Sequence, residues 1–390
     1  MYWFELWAVP VRIPYVFLPS KRIYPNSALC GILVLLVVFI ARTPARAEDL
    51  AQKLDHVLSA FETNRHFMGS VLVARDGRVL LEKGYGMADL EWGVPNAPDG
   101  KFRLGSITKQ FTSAAILQLA AQHKVSVDDK ACKYFDKCPD SWKQVTIHQL
   151  LSHTSGIPSY TRMKRFGQPN FIRVPLSPSE VLLLTKDEPL DFPPGTQWKY
   201  DNSGYILLGI IIEKASGEKY ADYLKKHIFD PLNMHDTGYD ETAVVLKHRV
   251  SGYKSCGNDL CNSDYIDMSL PYAAGSLYST AQDLYKWDRA LYTDSILSKS
   301  ARDRMWTPVM HNYGYGWMIG PMVNHRQYGH GGGIPGFSTY IARFPDDNAA
   351  VIVLGNNETV NAENIAEALA GTLFGNRVSL PGDRNVSSTK

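Results

Sequence analysis

The stretch that decides the reading is Arg103–Ala120, RLGSITKQFTSAAILQLA. Ile107, Phe111, Ala114, Ala115 and Leu117 fall at helical spacing, so most of it reads as a helix entering a core. Ser106 and Lys109 stand near its start, three residues apart and therefore on one helix face. A hydroxyl beside an ammonium at that place needs a reason. A serine hydroxyl is a poor nucleophile at neutral pH and needs a base. A lysine one turn away can be that base, because burial lowers its pKa. The ordinary account is that Ser106 is a plain N-cap. Ser-x-x-Lys alone does not decide, since it recurs at Ser216/Lys219, Ser251/Lys254 and Ser387/Lys390. Those three lie in a Ser-Gly helix exit, before a loop glycine and in the tail. Only Ser106 opens an apolar helix just after a glycine.

Two segments further along carry polar residues of the same kind. In WKYDNSGYILLG (Trp198–Gly209), Tyr200 and Asn202 precede a long apolar helix. A tyrosinate near a cation can act as a base, and an asparagine can bind an ester or amide carbonyl. Their ordinary roles would be core packing for Tyr200 and helix capping for Asn202. In YGHGGGIPGFS (Tyr328–Ser338), three glycines follow His330 and lead into a strand. Glycine lets backbone approach a ligand closely and expose N–H groups to an oxyanion. A flexible turn with an incidental histidine is the plain alternative. His-Gly-Gly-Gly also marks the oxyanion loop of α/β-hydrolase esterases, but those need a Gly-x-Ser-x-Gly elbow, which this chain lacks.

Strand patterns lie at both ends of the chain. GSVLVARDGRVLLEKGYG (Gly69–Gly86) reads as a hairpin turning at Asp76-Gly77. Tyr313–Gly320, Gly336–Pro345 and Ala349–Asn356 read as strands, and Ala362–Gly375 as a closing helix. Between them, Val127–Leu284 is mostly helical with long loops. The fold class expected is α+β: a mainly antiparallel sheet built from both chain ends, flanked by helices, with an inserted, mostly helical subdomain. A cleft at that junction, bordered by the Ser106 helix, is the expected ligand site.

The 390 residues, 45% of them hydrophobic, suffice for a sizeable core, and a net charge of +2 gives no sign of a nucleic-acid surface. Lys21 and Arg22 precede the apolar run Ala28–Ala41, and Ala45-Arg46-Ala47 follows as a small-x-small pattern. The run is shorter than the roughly 20 apolar residues of a spanning helix. It reads as a signal peptide over 1–47, removed after Ala47; an uncleaved membrane anchor is the rival. A domain over 48–375 is expected, with an α/β part (48–105 and 285–375) and a helical part (106–284). A loose tail follows over 376–390. Beyond Cys30 the cysteines form two near pairs, Cys132/Cys138 and Cys256/Cys261, which suggests two local clips in an oxidising compartment and not a zinc site.

The three polar motifs, SITK, YDN and HGG, occur in a fixed order, and here the sequence resembles the serine β-lactamase and penicillin-binding-protein superfamily. It is most similar to the class C-like branch, which holds class C β-lactamases, DD-peptidases, D-aminopeptidases and family VIII esterases. The likeness extends to TIHQLLSHTSGIPSY, FPPGTQWKYDNSGYILLG, AAGSLYSTAQDLYKW and YGYGW, over roughly Phe61–Phe374.

The resemblance implies a β-lactamase-like (DD-peptidase) fold and an exported, periplasmic or secreted serine hydrolase that works through a covalent acyl-enzyme. It implies Ser106 as nucleophile, with Lys109 and Tyr200 sharing the base role. It implies Asn202 holding Lys109 and touching substrate, and an oxyanion site from the N–H groups of Ser106 and Gly333 beside His330 and Gly332. No metal or organic cofactor is implied. The expected partners are a small ester, a D-amino-acid peptide or amide, or a β-lactam, with a membrane only if the N-terminal segment is retained. Nothing in the sequence sets an oligomeric state. The chain departs from the pattern at His330, where the third motif usually has lysine. A histidine of ordinary pKa, about 6.5, is mostly neutral near pH 7 and is a weak partner for a substrate carboxylate. That favours esterase or peptidase activity over strong β-lactam hydrolysis. His153 and Ser155 read as scaffold, with His153 a conceivable supporting residue. Specificity is expected from the loops at 162–175 and 256–261. A catalytically idle module that binds peptidoglycan fragments or a partner is the alternative of a different class.

Overall fold

The computed structural model describes residues 43–383 apart from 167 and 169. The apolar run at 28–41 and the last residues of the tail lie outside them. Helix α1 (Thr43–Arg65) leads into the hairpin β1 (Gly69–Arg75) and β2 (Arg78–Tyr85). Asp76 and Gly77 both take positive φ, 53° and 74°, as a tight hairpin turn requires. The helical insert contributes α2 (Thr108–Ala121), α3 (Asn202–Ser216) and the single turn α4 (Tyr272–Gly275). The chain then returns as β3 (Met318–Met322), β4 (His325–Ile334), β5 (Phe337–Phe344) and β6 (Ala349–Gly355), and closes with α5 (Ala362–Leu373).

The strands form one six-stranded antiparallel sheet in the order β3-β4-β5-β6-β1-β2. The two chain ends meet where β1 pairs with β6, Gly69 opposite Gly355 and Arg75 opposite Ala349. Leu72, Ala74, Ala350, Ile352 and Leu354 join the core shared with the insert. Their alternates Val71, Val73, Val351 and Val353 pack with α1 and α5 on the other face. A strand covered on both faces carries no polar alternation, which is why AAVIVLG reads as one apolar run.

Helix α2 is buried on every side, with Thr108 to Leu117 all inaccessible, so the expectation of one apolar face understates it. Neighbours take up most of its polar atoms, although the buried Gln110 Nε2 has no partner. Thr112 Oγ1 donates to Ala273 O at 2.7 Å and Gln110 Oε1 accepts from Trp287 Nε1 at 3.1 Å. Phe111 packs between Phe229 and Trp287, so its truncation to alanine is expected to cost about 3–5 kcal/mol.

The structure differs from the sequence reading in three places. Tyr313–Trp317 is not strand: Gly314 N–H bonds Trp317 O and Gly316 takes φ 76°, so the chain turns before β3 begins at Met318. The glycines after His330 do not precede a strand but lie within β4. The tail is not loose as far as Asp383, because Val378 and Leu380 pack against the outer core. The insert also carries a hairpin, Tyr253–Cys256 with Asp259–Asn262, whose Cys256 and Cys261 sulfurs lie 2.15 Å apart. Cys132 and Cys138 form a second pair at 1.92 Å. Among the described residues, no helix is long and apolar enough to cross a membrane and no cluster of three or more metal-ligating side chains occurs.

Candidate active site

Ser106 lies in a 3-10 turn, Gly105–Ile107, directly before α2, and its side chain makes no capping bond. It is partly accessible, whereas Lys109 is fully buried. Lys109 Nζ meets three oxygens: Ser106 Oγ at 3.0 Å, Asn202 Oδ1 at 2.8 Å and Ala274 O at 2.8 Å. An ammonium would donate to all three. In a neutral amine, two N–H bonds serve Asn202 Oδ1 and Ala274 O, which can only accept. The lone pair then faces Ser106 Oγ, which becomes the donor. Burial lowers the Lys109 pKa to about 7, with the Asp201 charge opposing, so both forms are populated near neutrality. The corner can therefore take a proton from the serine.

Tyr200 stands over this corner, with Lys109 Nζ 4.9 Å from its ring centroid. Its ring is partly exposed, but its hydroxyl is buried and forms no regular hydrogen bond. Burial holds its pKa well above the ordinary phenol value, against the opposing influence of the Ser106 hydroxyl, so Tyr200 is a neutral phenol. Asn202 does not cap α3, as its ordinary role would have it. Asp201 is the cap, accepting from Ser203 N–H at 2.7 Å and Gly204 N–H at 3.0 Å. Asn202 is thus freed to hold Lys109, while its Nδ2 donates to Thr161 Oγ1 at 3.3 Å. Burial pushes the Asp201 pKa up to about 7 against those backbone bonds. Asp201 escaped the sequence reading, although an aspartate directly before an apolar helix is a capping signal. His153 supports both residues. Its Nδ1 accepts from Asp201 N–H at 3.1 Å, and its ring lies 4.3 Å from that of Tyr200 and 4.7 Å from that of Tyr313.

The opposite wall is β4. Strand β3 pairs only with His325–Gly329, so from His330 onward that edge of β4 has no strand neighbour. The Ser106 turn packs there. Gly332 can carry no side chain, because a Cβ would lie 1.8 Å from Leu104 O. A Cβ on Gly105 would lie 2.9 Å from Gly333 N, so the Ser106 turn and Gly333 are backbone neighbours. Gly333 itself is exposed with open space beside it. Ser106 sits in the first turn of its helix, where N–H groups lack an intrahelical acceptor. The two amides can thus serve one oxygen.

His330 is 2% exposed, with its ring 6.1 Å from that of Tyr200. Nδ1 meets Gly331 O at 2.6 Å and Nε2 meets the Tyr313 hydroxyl at 2.9 Å. A carbonyl only accepts, so Nδ1 carries the proton; because burial keeps the ring neutral, Nε2 is then the acceptor for the Tyr313 hydroxyl. Burial and the Lys109 charge hold its pKa down to about 3. The structure therefore gathers Ser106, Lys109, Tyr200 and Asn202 at one point, sets Gly332 and Gly333 alongside, and buries His330 with its ring 6.1 Å from that of Tyr200. The Ala274 carbonyl and Tyr313 complete the setting; both lie in stretches that carry the resemblance, AAGSLYSTAQDLYKW and YGYGW, which assign neither a role.

The beta-lactamase family model matches residues 54–374. A penicillin-binding protein of Bacillus subtilis (strain 168) is 31% identical over 355 residues, covering 84% of this chain and 78% of its own. Among solved structures, the octameric penicillin-binding protein homologue from Pyrococcus abyssi superposes with a TM-score of 0.75 at 30% identity, covering 85% of this chain and 78% of its own. A D-stereospecific amidohydrolase from Streptomyces gives 0.70 at 26% identity, covering 82% and 98%. With the fold and the order of motifs, these matches place the chain in the beta-lactamase family, within the superfamily of serine β-lactamases and penicillin-binding proteins.

Proposed function

We propose that this protein is an exported serine acyl hydrolase that acts on esters and on D-amino-acid amides or peptides in preference to β-lactams. The observation that carries the reading is the buried Lys109 with its lone pair available only to Ser106 Oγ. Neutral Lys109 takes the Ser106 proton as Oγ attacks the substrate carbonyl carbon. The oxyanion that forms is met by the N–H groups of Ser106 and Gly333. The Tyr200 phenol gives its proton to the departing alcohol or amine, and the acyl group stays on Ser106. Water then attacks the acyl ester, losing a proton to the Tyr200 phenolate, while Lys109 returns its proton to the departing Ser106 Oγ. The pair acts as one titrating unit.

The substrate preference rests on β4. A neutral, buried His330 offers no cation to a substrate carboxylate. The likeness to a D-stereospecific amidohydrolase supports amide substrates. Export is supported by the basic and apolar segment before Ala47 and by the two cysteine pairs; a mature N-terminus at Glu48 would bear it out. The functional test compares initial rates on a short-chain p-nitrophenyl ester, a D-aminoacyl p-nitroanilide and a chromogenic cephalosporin. Ester or anilide turnover that disappears in Ser106→Ala, with slow cephalosporin turnover, is expected. Turnover that survives Ser106→Ala would overturn the assignment, and fast cephalosporin hydrolysis would overturn the preference.

A further inference from the structure

The chemistry proposed above leaves one buried hydroxyl unused. Tyr272 opens α4 with φ 39°, a conformation that bulky residues rarely adopt. It is 6% exposed, and its hydroxyl is buried without a hydrogen bond. Its ring is seated against α3, where a Cβ on Gly209 would lie 2.3 Å from it. Tyr272 lines a cavity of about 600 Å³ that includes none of Ser106, Lys109, Tyr200 or Asn202. Beyond burial, the charge of nearby Glu213 and a contact with its carboxylate raise the Tyr272 pKa further, although the hydroxyl meets no partner in regular hydrogen-bond geometry.

The lining of this cavity has a definite chemistry. Glu213, Asp222 and Glu241 supply three carboxylates against one lysine, Lys219. Tyr239 and Tyr272 supply aromatic surface, their rings 6.3 Å apart at 67°. The segment 175–178, with two prolines and a leucine, forms an apolar wall. Carboxylates attract a cation, aromatic faces hold one, and a phenol oxygen accepts from N–H. A buried hydroxyl without a partner is unfavourable, and a donating ligand would relieve it.

We infer that this cavity is a second binding site, for an organic cation that carries a primary ammonium on an aromatic or apolar body. The site touches the hydrolytic corner through α4. Ala273 O accepts from Thr112 Oγ1 at 2.7 Å and Ala274 O accepts from Lys109 Nζ at 2.8 Å, one and two residues beyond Tyr272.

The test is a calorimetric or NMR titration with phenethylammonium, using Ser106→Ala protein so that binding is read without reference to hydrolysis. Saturable binding is expected. It should weaken at least about tenfold in Glu213→Gln, in Tyr272→Phe, and when neutral 2-phenylethanol replaces the amine. Glu213→Gln keeps an oxygen for the Tyr220 N–H that Glu213 accepts at 2.9 Å, so the fold should hold, and an unchanged melting temperature checks this. Absence of saturable binding up to about 10 mM, or binding that neither variant weakens, would overturn the site. Neither result bears on whether Ser106 is a nucleophile, because the titration needs no turnover.

Discussion

The two walls of the site, the Ser106 helix and β4, use burial to opposite ends. On the helical wall, burial brings Lys109 into the neutral range while its three oxygen partners keep it hydrogen-bonded. On the strand wall, burial removes charge from His330 altogether and ties both ring nitrogens to Gly331 O and Tyr313. One wall holds a group able to exchange a proton near neutrality, and the other holds a fixed neutral scaffold. Desolvation sets the direction in both cases, and the available partners decide what the group can do.

The largest expected effect tests the helical wall. Ser106→Ala should lower kcat/KM for a p-nitrophenyl ester by about ten-thousandfold, and Lys109→Met by a comparable factor. The double variant should be hardly worse than either alone, since residues that act as a unit are not additive. Lys109→Met leaves Asn202 Oδ1 and Ala274 O without a donor, so circular dichroism and a melting curve must show a folded protein. Multiplicative losses in the double variant would separate the two residues and break the unit.

The strand wall is tested by restoring the usual cation. If a substrate carboxylate could reach position 330, His330→Lys would create a carboxylate site and speed cephalosporin hydrolysis. Its burial predicts otherwise. An ammonium placed there, close to Lys109 and without a carboxylate partner, should destabilise the fold by about 3–5 kcal/mol, read from denaturant midpoints. Cephalosporin turnover should not rise. A stable variant with faster cephalosporin hydrolysis would show that the two walls differ by one residue and not by construction.

This contrast explains what could be read from the sequence. The hairpin at Asp76-Gly77, the apolar run Ala349–Gly355 and the helix Asn202–Ser216 carry local signals, namely turn chemistry, unbroken apolarity and a left-handed glycine exit at Gly217. Ser106, Lys109, Tyr200 and Asn202 were legible as motifs because their order in the chain is distinctive. The Lys109 contact with Ala274 O was not, since a backbone carbonyl 165 residues away leaves no trace in side-chain pattern. Nor was the burial of His330, which depends on Tyr313 folding over it from a loop that had looked like strand. The glycines at 331–333 signal close approach but not which backbone approaches, and Leu104 O supplies that answer only in three dimensions.

The smallest expected effect is the most discriminating. Asp201 raises the Lys109 pKa through its charge, and its own pKa is raised by burial to about 7. Activity that needs neutral Lys109 should fall as pH drops through about 7. Asp201→Asn keeps an oxygen to cap α3 but removes the charge, so the acid limb of kcat/KM should move to lower pH by up to about one unit. A second readout fixes the sign. The folded state holds the Asp201 proton up to about pH 7, whereas an unfolded aspartate releases it near 3.8, so stability from this group is lost as pH rises between those values. The asparagine variant should lack that slope. Lys109 acts in a separate window, its lowered pKa making stability rise with pH between about 7 and 10.5 in both proteins. A lost slope with an unmoved acid limb would mean that Asp201 titrates as described but that Lys109 is not the base, and the proton would then have to pass through Tyr200 alone.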